Sequence, residues 1–315
     1  MTSIVCPLSG SSSVSLIEEI NVSDLIKMYG EFFKVDVSKE FGELKKLGYY
    51  HCKESDLRFF DPMVTGSEKL YEQLPKNKWY YMDDKSEYDW ANNFVKQTDL
   101  VLEIGCGKGA FAHKISAQKY VGLEFSQKAK EIAFSQGIII ENESIQAHSL
   151  ANPGKYDVVC AFQVLEHVSE IRSFIESSLN ALKPGWLLIY SVPSSDSFLS
   201  LVTNNILNMP PHHVSFWSDD CLKYVAKIFG IKLVSIEHEK LANIHKLWWA
   251  SSIILESLRN LLGVQSRLVD MSLNYKILAK ISSFAGKVLA KGLVNPTVLP
   301  DGHSVTVVYQ KLEHV

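Results

Sequence analysis

The sequence predicts an α/β protein whose sheet is mostly parallel and covered by helices on both faces. Three observations predict it. Short apolar runs rich in β-branched residues alternate with stretches of helical periodicity between residues 99 and 237. One run, Leu100–Ile104, carries Glu103 near its end and enters a turn with glycines at 105, 107 and 109. A strand, a Gly-rich turn and a helix start place a nucleotide-like ligand at the carboxyl end of a strand. A last alternating run, 303–310, follows a long helical interruption.

Each element has its own warrant. A helix is expected near 84–97, behind the aromatic leader at 76–98. Strand Leu100–Ile104 leads to a helix near 109–117, and strand 120–124 to a helix near 126–136. Residues 138–140 form a third strand. Tyr156–Phe162 is a fourth, dense in Val, Cys and Phe. Ser169 is the expected cap of a helix with Ile171, Phe174, Ile175, Leu179 and Leu182 on one face, stopped at Lys183-Pro184-Gly185. Strand 186–192 follows. Ser218 caps another helix, with Asp219 and Asp220 where the dipole favours acids; Leu222, Val225, Ala226 and Phe229 form its apolar face. Residues 231–237 and 303–310 are the last strands. The expected division is a small module at 1–75, a core at 76–240, a helical insert at 241–299 and a final core strand at 300–315.

Bulk properties narrow the class. The chain has 315 residues, a net charge of −3 and 21% charged residues, which leaves no electrostatic footprint for nucleic acid. The five cysteines are odd in number and scattered, which points to a reducing compartment. A signal peptide and a membrane-spanning run are not expected, so the expected location is cytoplasmic.

The glycine turn formally fits a dinucleotide fingerprint through Gly105, Gly107 and Ala110, so an NAD-type oxidoreductase is one reading. Three details favour another ligand. Glu103 would repel a pyrophosphate but suits an ammonium group. The Gly-x-Gly-x-Gly pattern lets backbone pass close under a small ligand. A separate module precedes the turn. Glu124, 21 residues after Glu103, stands where a carboxylate accepts both ribose hydroxyls of an adenosine.

These residues resemble the class I S-adenosylmethionine-dependent methyltransferases. The resemblance covers roughly 79–237 and 301–310. It rests on Glu103-Ile-Gly-Cys-Gly-Lys-Gly109, on Glu124, on the run from Tyr156 to Val-Leu-Glu-His167, and on Leu182-Lys-Pro-Gly185; dehydrogenases do not share the last two. It implies a Rossmann-like seven-stranded sheet with the last strand antiparallel. It further implies that Glu103, Gly105, Cys106 and Gly107 hold the methionine end, and Glu124 with Phe125 the ribose. Ser144 and Ile145 then border adenine, and Phe162, Gln163 and Val164 flank the sulfonium. Tyr81, with Tyr80, stands where relatives close an aromatic over the cofactor; packing on the sheet is the other reading. Two positions depart from the family pattern. Ser144 replaces an acid that binds the adenine amine, a role open to Glu143, the Ser144 hydroxyl or backbone. Trp186 replaces a glycine after Lys-Pro-Gly.

Cys6-x-x-Ser9 and Cys52-x-x-Ser55 have the spacing of two zinc knuckles, each with one cysteine missing. They are similar to degenerate zinc ribbons that precede some sugar-modifying methyltransferases. Serine is a poor zinc ligand, so no metal site is expected. His51 is the one evident rescue ligand, and Leu57, Phe59 and Phe60 supply an apolar alternative to metal.

Methyl transfer needs an aligned acceptor and, for a hydroxyl, a base. Pro210-Pro211-His212-His213 offers two imidazoles after the fifth strand, either as base and substrate contacts or as a structural turn. His167 is a base in similar sugar C-methyltransferases and a packing residue in most relatives. In 241–299 lie Trp248-Trp249 and Ile253-Ile254-Leu255; from 246 to 299 there are seven Lys/Arg against two Asp/Glu. This insert reads as a cap over the substrate cleft, or as a surface touching a membrane or a lipid-linked substrate. The expected function is S-adenosylmethionine-dependent O-methylation of a small molecule such as a sugar or glycan intermediate. C- or N-methylation and a non-catalytic scaffold are the alternatives.

Overall fold

The computed structural model describes residues 4–73, 85–117, 119–295 and 299–313. In chain order the strands are β1 Val14–Asn21, β2 Lys46–Cys52, β3 Arg58–Asp61, β4 Leu100–Ile104, β5 Lys119–Leu123, β6 Ile140–Glu141, β7 Tyr156–Phe162, β8 Leu182–Pro193, β9 Ser215–Phe216, β10 Lys232–Lys240 and β11 Asp301–Gln310. The α-helices are α1 Val22–Phe33, α2 Ser38–Phe41, α3 Glu68–Gln73, α4 Ser86–Asn92, α5 Gln127–Ser135, α6 Ile145–Ala151, α7 Ile171–Ala181, α8 Asp219–Ile228, α9 Lys246–Leu262 and α10 Leu273–Gly292.

Seven strands form one sheet in the order β10-β11-β8-β7-β4-β5-β6. β4 runs parallel to β5 and β7, β5 to β6, and β7 to β8, while β11 is antiparallel to both β8 and β10. This is the expected α/β sheet with its reversed last strand. β7 is buried along its whole length, as a central parallel strand must be. Ser218 caps α8 by accepting from Cys221 N, and Leu222, Val225 and Ala226 are buried beneath it.

The remaining strands form a second sheet, β1-β2-β3-β9, with every pair antiparallel. Its fourth strand comes from the segment between β8 and α8. Phe59 pairs with Ser215 there, and Cys6, Leu8, Cys52, Leu57 and Phe59 share one apolar cluster with Trp217, Cys221 and Leu222. The N-terminal residues therefore pack into the main core. The two half-knuckles face one another: Cys6 Sγ lies 3.3 Å from Ser55 Oγ, and Ser9 Oγ 3.7 Å from Cys52 Sγ. Leu57 and Phe59 are buried in the same apolar cluster as Cys6 and Cys52, whereas Phe60 is buried in a second cluster with Leu25 and Tyr29.

Four local expectations need correction. After Gly109, at φ +80°, only the short 3₁₀ turn Phe111–His113 forms, because positive φ at three glycines delays the right-handed conformation to Ala110. α7 starts at Ile171, with Glu170 rather than Ser169 at the cap position and no side-chain cap bond. Lys183, Pro184 and Gly185 belong to β8, where Gly185 N donates to Lys311 O. β6 is two residues long and begins at Ile140.

Candidate active site

The turn after β4 is held from behind by β5. Gly105 N and Cys106 N both donate to Leu123 O. Gly105 has φ +69°, and a Cβ there would sit 2.5 Å from Val164 Cγ2, so this position takes no side chain. Cys106 is buried with its sulfur over Gly122, and burial pushes its thiol pKa up. Gly107 N donates to Glu124 Oε2 at 2.9 Å, and Ser126 N to Glu124 Oε1 at 2.9 Å. Glu124 thereby ties the glycine turn to the start of α5 and keeps lone pairs for a further donor. Glu103 is 1% exposed and accepts from Tyr120 OH at 2.5 Å. Burial raises its pKa to about 8, against the opposing Tyr120 bond and the charge of Lys85.

The other expected cofactor positions divide. Phe125 is exposed, and Asn142 Nδ2 donates to its carbonyl. Val164 lies against Gly105. Gln163, at φ +58°, directs its amide to Ser304 Oγ at 2.8 Å and Ser191 Oγ at 3.4 Å. The side chains of Ile145 and Phe162 are in the core, Phe162 against Tyr88 and Phe111, so neither side chain walls a cleft as expected. Ser144 spends its oxygen capping α6, and Glu143 is paired with His148 at 2.6 Å. Both side chains offered for the missing adenine acid are thus engaged locally. Tyr80 and Tyr81 lie outside the described residues.

Beside Val164 the chain makes the 3₁₀ turn Leu165–His167, and there the three expected histidines meet. The ring centroids of His167, His212 and His213 are 4.5 to 4.6 Å apart. His167 Nδ1 donates to His212 O at 2.6 Å, because a carbonyl only accepts, and the backbone of Gln163 supplies a second acceptor for the ring. His213 Nδ1 donates to Asn208 Oδ1 at 2.8 Å, which fixes its tautomer. Both Nε2 atoms lie 4.0 Å from Glu166 Oε1. Glu166 is 1% exposed and neither of its oxygens has a hydrogen-bond partner among the described residues. Burial raises its pKa to about 8, lowers that of His167 to about 4, and holds those of His212 and His213 well below the usual imidazole range. Neutral imidazoles thus face a carboxyl poised near neutrality. The three rings also bring one nitrogen each within 4.8 Å of the others, a spacing that a divalent cation could close on.

Sequence reasoning missed four members of this site. Tyr71 OH lies 3.2 Å from His167 Nδ1, and Asn208 orients His213. Glu166 was visible in the Leu-Glu-His run, yet nothing local marks its carboxylate as buried without a partner. Lys85, 3.7 Å from Glu87, places its charge near both Glu103 and Glu166. A cavity of about 350 Å³ opens off the end of β8, lined by Ser194, Ser195, Asn208, Arg58, His51 and Arg267 among others.

A family model described as a methyltransferase domain matches residues 77–236, 160 of the 315. The chain belongs to that family, and its fold is that of the class I S-adenosylmethionine-dependent methyltransferases. S-adenosylmethionine is the cofactor of that class. Among curated relatives, the chain is 32% identical over 99 residues to the ubiquinone biosynthesis O-methyltransferase of Pectobacterium carotovorum, covering 29% of this chain and 41% of that protein. It is 28% identical over 160 residues to the protein of the same name from Escherichia coli O9:H4, covering 46% and 65%. The chain thus spans less than two thirds of the length of these relatives. A solved S-adenosylmethionine-dependent methyltransferase from Archaeoglobus fulgidus superposes with a TM-score of 0.52 at 16% identity, over 76% of this chain and all of that one.

Proposed function

We propose that the chain transfers the methyl group of S-adenosylmethionine to a hydroxyl oxygen of a small molecule, with His213 as base. One observation carries this reading: Nε2 of His213 and Nε2 of His167 converge at 4.0 Å on the carboxyl of Glu166, which has no hydrogen-bond partner among the described residues, two residues beyond the Gly105–Val164 contact. When bound, the cofactor supplies an electrophilic methyl on sulfur. Glu103 holds the ammonium end, Glu124 the ribose hydroxyls, and Gly105, Cys106 and Gly107 the backbone cradle. Phe125 and Val164 border the cofactor, as do the backbones of Ser144, Ile145, Phe162 and Gln163. His213 takes the acceptor proton at Nε2 as the acceptor oxygen bonds to the methyl carbon and the carbon–sulfur bond breaks, its electron pair leaving on a neutral sulfide; the carboxylate form of Glu166, 4.0 Å away, stabilises the imidazolium. His212 packs the cluster.

The acceptor we favour is a sugar or glycan intermediate. The cavity beside Asn208 supports it, because serine hydroxyls, Arg58 and His51 suit a polyhydroxylated molecule. The loop between α9 and α10 contributes Ser266 to Leu268 to that cavity, which supports a capping role for the 241–299 insert. Turnover to S-adenosylhomocysteine is the test, with nucleotide sugars, free glycosides and phenolic hydroxyls offered in parallel. Glu166→Gln and His213→Gln should lower turnover by about 10²-fold while cofactor affinity holds within threefold. Unchanged turnover in both would remove the cluster as the proton acceptor.

A further inference from the structure

α10 is built inside out. Its buried positions are Ser282 and Gly286, and a Cβ on Gly286 would meet Ser251 of α9 at 2.6 Å. Its large apolar residues face the other way. Leu273, Ile277, Ile281, Phe284 and Val288 are between 49% and 75% exposed. At about 100° per residue these five fall within an arc of roughly 80°, a stripe nearly opposite the Ser282–Gly286 seam. An apolar face usually turns inward to the core; here small residues do, and the stripe stands in solvent. Leu261, Leu262 and Val264, at the end of α9 and just beyond, are exposed as well.

Charge tells what covers it. Lys276, Lys280, Lys287 and Lys291 are exposed along α10, and no Asp or Glu occurs from residue 271 to residue 300. A second copy docked stripe to stripe would bring lysine against lysine with no acid on either helix to answer it. An anionic surface answers all four. No described helix is long and apolar enough to cross a membrane, so the helix would lie in the plane of the interface.

We infer that the α10 stripe docks on an anionic lipid bilayer, with Ile277, Ile281, Phe284 and Val288 entering the acyl boundary and the four lysines engaging headgroups. The opposite edge of the hairpin stays on the body of the protein: Arg259 donates to Thr203 Oγ1, Leu268 N to Glu18, and Trp248 packs edge-on against Phe198. Docking through the stripe therefore leaves these contacts, and the fold of the hairpin, in place.

The test is sedimentation of the full chain with phosphatidylcholine vesicles, with and without 30% phosphatidylglycerol. Binding should be at least tenfold tighter with the anionic lipid and should fall away in 0.5 M salt. Ile281→Ser/Phe284→Ser should weaken it at least tenfold. Lys280→Gln/Lys287→Gln should weaken it by roughly fivefold per lysine and only on anionic vesicles. Both variants should keep the wild-type melting temperature and cofactor binding, since neither pair is buried; if the apolar pair fails to fold, the lysine pair alone decides. No binding by the wild type, or wild-type binding by the variants, overturns the inference. So does a stable dimer in light scattering that the apolar pair dissolves while the vesicles stay empty. All these readouts are independent of methyl transfer, so failure of the proposed reaction leaves them interpretable.

Discussion

Glu103 and Glu166 invite comparison. Glu103 lies near the end of β4 and Glu166 in the 3₁₀ turn just beyond the neighbouring parallel strand β7, each 1% exposed, each raised to about 8 by burial. One difference separates them. Glu103 has a donor in Tyr120, whereas Glu166 has none among the described residues and faces two imidazole nitrogens across 4.0 Å. A buried carboxyl with a donor is held for a cationic ligand that will ionise it. A buried carboxyl without one holds its proton near neutrality, beside imidazoles that burial keeps neutral. On the proposed function, the same burial prepares one group for binding and the other for proton transfer.

The largest effect should come from exchanging those roles. Glu103→Ala should cost at least 100-fold in S-adenosylmethionine affinity by calorimetry, whereas Glu166→Gln should leave affinity within threefold and cut turnover by about 10²-fold. If both variants lost affinity equally, the division between binding and proton transfer would collapse.

Next in size is pH. In the cofactor-free chain Glu103 holds a proton below about 8, and a cationic ligand favours its carboxylate. Binding at pH 7 should therefore release close to one proton, seen as a dependence of the binding heat on buffer ionisation. Affinity should rise toward tenfold per pH unit below 8 and level off above it. Stability runs the other way. The contribution of the two raised carboxyls is complete below the ordinary 4.5 and is lost as pH rises through 8. His167, lowered to about 4, contributes above 6.5 and loses that contribution as pH falls through 4. The melting temperature of the cofactor-free chain should then fall from pH 6 to 9, by on the order of 5 °C, and Glu166→Gln should flatten that slope by about half. An unsloped wild-type curve would place Glu166 in water.

The same contrast explains what the sequence made legible. The turn at 105–109 is local: strand, glycines and Glu124 lie within 25 residues, and backbone geometry dictates their types, so its partners could be read by spacing. β7 matched its expected bounds because a fully buried central strand is continuous in apolar residues. The histidine cluster draws on residues 71, 166–167 and 208–213, which only the fold brings together; the histidines were visible as motifs, while Tyr71 and Asn208 carry no local signal. The pairing of β3 with β9 was hidden for the same reason, since two residues between β8 and α8 have no periodicity to read. The 241–299 insert was legible as helical from the apolar residues of α9, but the α10 stripe was not singled out, and sequence alone gives no direction to an apolar face.

The smallest and most discriminating change is Tyr120→Phe. It removes the Tyr120 donor on Glu103 and leaves that carboxyl in the condition of Glu166, buried and without a hydrogen-bond partner among the described residues. The ring fills the same space, so the sheet is undisturbed and the effect is confined to the lost hydrogen bond, worth about 1.5–3 kcal/mol for a charged acceptor when buried and less when the ligand re-supplies a donor. The expected result is a loss of cofactor affinity of roughly fivefold to tenfold, with the midpoint of proton release moved above its wild-type pH because the ionised form has lost its support. Turnover at saturating cofactor should stay within threefold, since the proton-transfer cluster at Glu166 is untouched. An unshifted midpoint would mean that Tyr120 merely fills space, and that Glu103 and Glu166 differ in what approaches them rather than in how the chain holds them.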